Sequence, residues 1–379
     1  MNFDTLASTA MSMWSAAQAA DTNPITLCVL GPPGVGKSAC GKAISDMMTA
    51  QVQGKNPSAP PARFMALDLS SMLPEDLMGL PFRSGDITKY CPQSWLAPFC
   101  EEGAYGVLVL DDLPAASGQV QVACRQVSLD RRIHEMNLAP GVLVIVTGNR
   151  REDKAGASTL PSHFRNSVCI LNYAPSFEGW EQWYATSGGN SDIPAFLHFR
   201  STYFSRVPKD ADAKGSFATP RTWAMLGRVI DSIPDEQQAE FASGLVGEGV
   251  AVEFAAFRML RKTLVTPAKL MADPRGSLPD PKGTLDSPDK VIALATGLGE
   301  HAAKTAKGRG AEKVLVQFLA ALGWATSHNR EYTASAINTF VASGGKMGAL
   351  LSASQKGRDN PDIRDLMAAL RKALLKKGN

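Results

Sequence analysis

The sequence predicts an α/β fold built on a parallel sheet and followed by a helical region. Five short apolar runs lie within residues 24–174, and helical or irregular segments of 20–40 residues separate most of them. Strands that alternate with such segments are typical of a parallel sheet covered by helices. A glycine-rich loop directly follows the first run, as in folds that bind phosphate groups at the ends of their strands.

The five apolar runs are the predicted strands of the sheet. Each is nearly continuous, which is the pattern of a strand that is buried on both faces. The runs are Ile25–Leu30, Arg63–Leu69, Val107–Asp111, Val142–Thr147 and Val168–Leu171. Residues 1–23, which precede them, are rich in Ala, Ser and Met and predict an N-terminal helix.

The chain changes character after residue 174. Apolar residues recur at helical spacing over 175–263, which predicts a small helical domain. Residues 264–290 contain five prolines and two glycines, and we expect a linker there. Residues 291–379 return to helical patterning and predict a helical C-terminal extension.

Composition limits the possible classes of protein. The 379 residues include 39 Lys and Arg against 36 Asp and Glu, and the net charge of +3 gives no sign of a nucleic-acid binder. No apolar run approaches the roughly 20 residues that cross a bilayer. The N-terminus does not resemble a signal peptide, and the six cysteines are scattered, so we expect reduced thiols and a cytoplasmic location.

The loop Gly31–Ser38 matches the pattern Gly-x4-Gly-Lys-Ser in full. Its glycines allow the backbone to curl so that N–H groups point at phosphate oxygens, and the following helix adds its positive end. Lys37 is expected to reach the β- and γ-phosphates, and Ser38 to offer a hydroxyl to Mg²⁺. The predicted nucleotide-binding residues are Gly31, Pro32, Pro33, Gly34, Val35, Gly36, Lys37, Ser38 and Ala39.

Two other strand ends carry polar side chains that suit the same chemistry. Asp111 is predicted to hold Mg²⁺ with Ser38, and Asp112 to orient or deprotonate an attacking water. Asn149 follows the fourth run, and its amide suits a hydrogen bond to the γ-phosphate or to the water. Arg221, at the start of a helix in the second domain, is expected to reach back to the phosphates.

Together these motifs resemble those of the AAA+ ATPases, and within them the MoxR-like branch. Gly31–Ser38 is similar to the Walker A loop and Val107–Asp112 to the Walker B strand. Asn149 and Arg221 occupy positions similar to sensor 1 and sensor 2. The resemblance covers about residues 24–262.

Two further segments resemble the MoxR-like branch. Leu67–Pro81 is similar to the stretch after the second strand, where that branch inserts a hairpin into its second helix, here near 80–95. Leu129–Glu135 also looks like that branch. Phe82 and Tyr90 flank the predicted hairpin tip, where they either contact a partner or pack the hairpin onto the core.

The resemblance implies a fold, a cofactor and an assembly. It implies a P-loop αβα core with a five-stranded parallel sheet over 24–174 and an α-helical lid over 175–263. It also implies Mg²⁺-dependent ATP hydrolysis in a homo-hexameric ring, with an arginine finger from the neighbouring subunit. MoxR-like proteins commonly act as chaperone-like remodelling factors for a partner with a von Willebrand factor type A domain.

The chain departs from the family pattern at two positions. Asp112 stands where the family usually has Glu, one methylene longer, which suggests slow hydrolysis. The usual finger position falls on Ser167, so Arg165 is the first candidate for the finger. The other candidates are Arg131, Arg132, Arg150 and Arg151.

These departures leave two alternatives to the remodelling ATPase. One is a structural ring that binds nucleotide and rarely hydrolyses it. The other is a nucleic-acid-stimulated motor, which is less favoured and rests on a local charge of +4 near the C-terminus. That charge comes from Lys356, Arg358, Arg364, Arg371, Lys372, Lys376 and Lys377 against Asp359, Asp362 and Asp365.

Overall fold

A computed structural model of the chain describes residues 1–150, 153, 160, 162–208, 215–326 and 331–376. The chain divides into two compact units. The first comprises Met1–Gly179 and Val207–Ala213, and the second comprises Trp180–Arg206 and Lys214–Asn379.

The first unit contains a five-stranded parallel sheet in the order β2-β5-β8-β1-β9 and two antiparallel hairpins, β3-β4 and β6-β7. The predicted fold class is thereby confirmed: a parallel sheet with flanking helices, followed by a helical region. The strands are β1 Leu27–Leu30, β2 Arg63–Asp68, β3 Leu80–Ser84, β4 Ile87–Cys91, β5 Tyr105–Asp111, β6 Arg132–Ile133, β7 Met136–Asn137, β8 Gly141–Gly148 and β9 Cys169–Asn172.

Helices cover both faces of this sheet. They are α1 Phe3–Ala19, α2 Lys37–Gln53, α3 Pro74–Met78, α4 Ala97–Cys100, α5 Gly118–Arg125 and α6 Ser162–Arg165, with α7 Phe177–Thr186 leading into the second unit. The central strands alternate between two cores, because successive side chains of a strand point to opposite faces. Val107 and Val109 of β5 pack with α1 and α2, whereas Leu108 and Leu110 pack with α3, α4 and α5.

Helix α1 is fixed to the sheet by Trp14. Asn2 caps the helix by accepting a hydrogen bond from the Thr5 N–H at 3.0 Å. Trp14 is buried, and its indole N–H donates to the Gly141 carbonyl at the start of β8 at 2.9 Å. The N-terminal helix is therefore part of the core of the first unit.

The six cysteines are free and differ in exposure. Burial raises the pKa of the Cys28 and Cys124 thiols to about 12, so both remain protonated near neutral pH. Cys91, in contrast, is exposed on the β3-β4 hairpin.

Among the described residues of the second unit, the regular secondary structure is all helical. Its helices after α7 are α8 Asp192–Phe199, α9 Pro220–Val229, α10 Asp235–Val246, α11 Glu248–Thr263, α12 Pro267–Ala272, α13 Pro274–Ser277, α14 Pro281–Thr284, α15 Pro288–Thr305, α16 Ala311–Thr326, α17 Glu331–Ala342, α18 Met347–Lys356 and α19 Pro361–Lys376. One aromatic cluster joins α8, α9 and α11 and consists of Phe196, Trp223, Phe254 and Phe257. None of the helices in the described ranges combines the length and apolar character that crossing a bilayer requires.

Residues 264–290, which the sequence suggests as a linker, form the short helices α12, α13 and α14. Each of these helices has a proline at its first position, where the missing N–H costs nothing. Asp273 and Asp280 cap α13 and α14 with their carboxylates. Leu270 and Leu278 are buried in the same core as α15 and α16, so this stretch is packed.

The segment 126–134, which runs from the end of α5 through β6 into the β6-β7 turn, is conformationally unusual. Residues 126–130 form a turn of π-helix, and Arg131 and His134 have positive φ angles of 55° and 49°. The buried side-chain polar atoms that lack a partner, within the part of the chain that the structure describes, all belong to this segment: Gln126 Oε1, Ser128 Oγ, Arg131 Nε and Nη1, and His134 Nε2. The segment thus combines backbone strain with unsatisfied polar groups.

We predict that Trp14→Ala destabilises the first unit by about 3–5 kcal/mol, because it removes a buried aromatic ring and a hydrogen bond to β8. Trp183→Ala is the matched control, since Trp183 is 49% exposed. Guanidinium unfolding measures both variants. Equal shifts of the unfolding midpoint in the two variants would contradict the role given to α1.

Candidate phosphate-binding site

The candidate site lies at the carboxyl ends of three adjacent strands. β8 is hydrogen-bonded to β1 on one side and to β5 on the other. The register pairs Leu30 with Gly148 and Leu110 with Val146, so these strands end at nearly the same level. The loop after β1, the carboxylates at the end of β5 and the amide after β8 consequently meet at one edge of the sheet.

The loop between β1 and α2 adopts positive φ angles at two of its glycines. Gly34 and Gly36 have φ angles of 72° and 91°, in the left-handed region that favours glycine. Gly36 precedes α2 without a side-chain cap. Because the N–H groups of a first helical turn have no partner within the helix, the start of α2 suits an anion.

Gly31 is required for a different reason, which is close packing. A Cβ atom at this position would lie 2.4 Å from the carbonyl oxygen of Tyr173. Tyr173 follows β9, and its N–H donates to the Leu30 carbonyl at 2.7 Å. The first glycine of the loop therefore allows the chain after β9 to pass directly beside it.

Lys37 lies inside the loop and is buried. Its ammonium donates to the carbonyl oxygens of Gly31 and Pro32 and to Asn149 Oδ1, each at 2.9 Å. These three oxygens help to hold the ammonium at the glycine-rich loop. This is the place where a phosphate would meet it.

Ser38 and Asp111 are joined directly. The Ser38 hydroxyl donates to Asp111 Oδ2 at 2.5 Å. The other oxygen of this carboxylate accepts a hydrogen bond from the Thr147 hydroxyl. Sequence reasoning missed Thr147, and the available signal was a single hydroxyl near the end of the apolar run that forms β8.

Asp112 occupies a left-handed conformation, with φ 60° and ψ 35°. Asp and Asn tolerate this region better than most residues. Its N–H donates to Thr147 Oγ1 at 3.4 Å, and its Oδ1 accepts from Asn149 Nδ2 at 3.4 Å. The amide of Asn149 therefore contacts both the Lys37 ammonium and the Asp112 carboxylate.

The donor set suits a nucleoside triphosphate with Mg²⁺. Ser38 and Asp111 supply adjacent oxygen ligands, which Mg²⁺ prefers, and Mg²⁺ commonly takes its other ligands from water and phosphate. The described residues contain no group of three His, Cys, Asp or Glu side chains that could hold a metal by themselves. The residues present thus fit a metal that is bound together with phosphate.

The candidate finger arginines differ in exposure. Arg165 is exposed at the end of α6, and Arg132 is exposed in β6. Arg131 is buried, its guanidinium donates to the Val142 carbonyl, and burial lowers its pKa to about 10. Arg150 is paired with Asp153 through two hydrogen bonds of 2.9 Å. Arg151 lies outside the described residues.

Arg221 is exposed in the first turn of α9. Thr219 caps this helix, and its hydroxyl accepts from the Thr222 N–H at 3.2 Å. Because α9 belongs to the second unit, the reach of Arg221 to the phosphates stays a prediction.

The hairpin β3-β4 lies in the region where an insertion is predicted. Phe82 and Tyr90 are 47% and 42% exposed, so neither is packed into the core. The Tyr90 ring stacks on His134 of the β6-β7 turn, with ring centroids 3.7 Å apart. The two hairpins are therefore in contact through this pair.

No protein-family model matches the chain, and no curated protein matches it in sequence. Solved structures with a similar fold include RuvB, the Holliday junction branch migration motor of Thermotoga maritima, at 14% identity and a TM-score of 0.35, covering 77% of this chain and 83% of RuvB. C. elegans PCH-2 matches at 13% identity and a TM-score of 0.35, covering 69% of this chain and 68% of PCH-2.

A DNA polymerase III gamma subunit-related protein of Thermotoga maritima also matches, at 9% identity and a TM-score of 0.29, covering 87% of this chain and 98% of that protein. These likenesses are distant.

We predict that Gly31→Ala destabilises the first unit by about 1–3 kcal/mol and weakens nucleotide binding, because the new methyl group would force the Tyr173 backbone away. Gly118→Ala is the control, since a Cβ atom there meets nothing within 4 Å. Thermal unfolding and binding of a fluorescent ATP analogue measure both variants. A Gly31→Ala protein that behaves like the control would refute this packing argument.

Proposed function

We propose that the chain is an AAA+ ATPase of the MoxR-like type that binds and hydrolyses ATP with Mg²⁺. One observation carries this proposal: side chains from three strand ends are linked around the glycine-rich loop. Ser38 contacts Asp111, Lys37 contacts Asn149, and Asn149 contacts Asp112. A glycine-rich turn without a phosphate-related role would not need two carboxylates and an amide linked to its serine and lysine.

Each of these side chains has a proposed role in hydrolysis. Lys37 compensates the negative charge of the β- and γ-phosphates, and Ser38 and Asp111 hold the metal. When bound, Mg²⁺ neutralises charge on the phosphate oxygens. Asp112 accepts a proton from the attacking water or orients it, while Asn149 fixes the Asp112 carboxylate and offers a hydrogen bond to the γ-phosphate.

The proposed assembly is a homo-hexameric ring with ATP between subunits. The exposed Arg165 is the proposed finger that enters the neighbouring site, and Arg221 is the proposed sensor 2. A cation that arrives from another subunit makes hydrolysis conditional on assembly. By analogy with MoxR-like proteins, we propose that the ring remodels a cytoplasmic protein partner, with a von Willebrand factor type A domain as the first candidate.

Asp112 supports a second candidate, a nucleotide-bound structural ring with weak hydrolysis. Its side chain is one methylene shorter than the usual Glu. The left-handed backbone of Asp112 and its contact with Asn149 favour the hydrolytic proposal, because they place the carboxylate beside the amide despite the short side chain. Turnover by the unmodified chain separates the two candidates.

The C-terminal charge, on which the nucleic-acid motor rests, takes part in two ion pairs. Lys356 forms an ion pair with Glu312 at 2.6 Å, so part of that charge is neutralised. Asp362, one of the acidic residues of the stretch, pairs with Arg275, which offsets that loss and leaves the local charge at +4. The side chains of Arg371, Lys372 and Lys376, and all of Lys377, lie outside the described part of the chain.

We predict that Lys37→Ala lowers steady-state ATP turnover by about 100-fold, because the ammonium is the cation nearest the expected phosphates. Lys42→Ala is the matched control, since Lys42 lies on the same helix, is 55% exposed and pairs with Asp46. A phosphate-release assay measures both variants. Turnover that survives Lys37→Ala unchanged would overturn the ATPase proposal.

We predict that Asp112→Glu lowers turnover roughly tenfold instead of raising it. Glu is less well tolerated in the left-handed region, and its longer side chain would carry the carboxylate past the Asn149 amide. Asp112→Asn, which removes the charge at nearly the same size, is expected to abolish turnover. A gain in phosphate release with Asp112→Glu would instead favour the weakly hydrolysing ring.

A further inference from the structure

Thr147 is the only polar side chain of β8, which reads Gly-Val-Leu-Val-Ile-Val-Thr-Gly. It has no exposed surface. Burial of a hydroxyl costs free energy unless the hydroxyl is hydrogen-bonded, and Val would suit a buried strand better. The presence of Thr at this position therefore calls for a reason other than packing.

The contacts of Thr147 point to the two acidic residues. Its hydroxyl donates to Asp111 Oδ1 and accepts from the Asp112 N–H at 3.4 Å. Ser38 holds the other oxygen of Asp111. One hydroxyl on β8 thus contacts both residues at the end of β5.

These contacts have separate consequences for the two carboxylates. Asp111 is held at both of its oxygens, by Ser38 and by Thr147, so its carboxylate plane is fixed. Asp112 is held through its backbone, which helps to retain the left-handed turn on which its side-chain position depends.

We propose that Thr147 is a positioning residue that sets the orientation of the Asp111 carboxylate toward the metal and of the Asp112 carboxylate toward the water. The inference rests on the proposed function and deepens it. It assigns to this residue a role that the glycine-rich loop, the two acids and Asn149 do not fill. Thr147 does not itself touch the nucleotide, and its effect passes through Asp111 and Asp112.

The test compares Thr147→Val and Thr147→Ser with Thr26→Val. Thr147→Val keeps the shape and removes the hydroxyl, whereas Thr147→Ser keeps the hydroxyl and removes the methyl group. Thr26→Val is the matched control, because Thr26 is also buried and its hydroxyl donates to the Ser128 carbonyl at 2.5 Å. Thr26 lies at the opposite end of β1 from Gly31.

Three measurements are made on each full-length variant: thermal unfolding, binding of a fluorescent ATP analogue over a Mg²⁺ titration, and the kcat and KM of phosphate release. For Thr147→Val we expect kcat to fall roughly tenfold or more with KM within about threefold, and the Mg²⁺ concentration for half-maximal binding to rise severalfold. Thr147→Ser is expected to recover most of kcat. Thr26→Val is expected to leave both kcat and the Mg²⁺ concentration for half-maximal binding near the wild-type values.

The outcomes separate this inference from the proposed function. If the wild-type chain hydrolyses ATP and Thr147→Val retains its kcat and its Mg²⁺ dependence, the inference fails alone. If Thr147→Ser does not recover activity, or if Thr26→Val loses as much, the hydroxyl is not the cause and the inference also fails. If the wild-type chain binds ATP without hydrolysis, the Mg²⁺ titration still tests the inference, which fails if Thr147→Val leaves the Mg²⁺ concentration for half-maximal binding unchanged. A wild-type chain that binds no nucleotide overturns both.

Discussion

The position of β8 between β1 and β5 is the constraint on which the candidate site depends. Parallel strands with matched register end at the same edge, so three separate stretches of chain deliver their side chains to one place. Burial of β8 on both faces fixes this register, because a slip by one residue would move every side chain to the opposite core. The chemistry at the edge thus depends on the apolar packing behind it.

A neutral residue, Asn149, links two charged side chains at this edge of the sheet. Asn149 presents an oxygen to Lys37 and an N–H to Asp112, so one amide contacts a cation and a carboxylate. A carboxylate at this position would repel Asp112, and an ammonium would repel Lys37. The amide thus connects the lysine of the glycine-rich loop with the acidic end of β5.

The features that the sequence predicted well are those set by local pattern. The five strands were visible as apolar runs, and the loop Gly31–Ser38 was visible because its glycines and lysine have fixed spacing. The hydroxyl of Thr147 was not visible, since a single Thr near a strand end has no pattern of its own. The packing of 264–290 was also hidden, because prolines that begin short helices look like the prolines of a linker.

Tertiary context decided the remaining cases. Arg131 was one of the candidates for the finger, and arginine is rarely buried without a partner. In the fold it is covered, with two of its nitrogen atoms unpaired and a left-handed backbone. The residues next to Arg131 in the sequence carry no pattern that predicts its burial. The burial depends on a tertiary contact, in which the guanidinium donates to the Val142 carbonyl of β8.

That burial has a thermodynamic consequence. Two unpaired guanidinium nitrogens of Arg131 and three other side chains with unsatisfied atoms raise the free energy of the closed segment 126–134, so less free energy is needed to open it. A stacked ring pair contributes only about 1 kcal/mol, and the stack of Tyr90 on His134 joins this segment to the exposed hairpin. A segment with unsatisfied buried groups is thus joined to the exposed β3-β4 hairpin and leads, seven residues later, into the strand that carries Thr147.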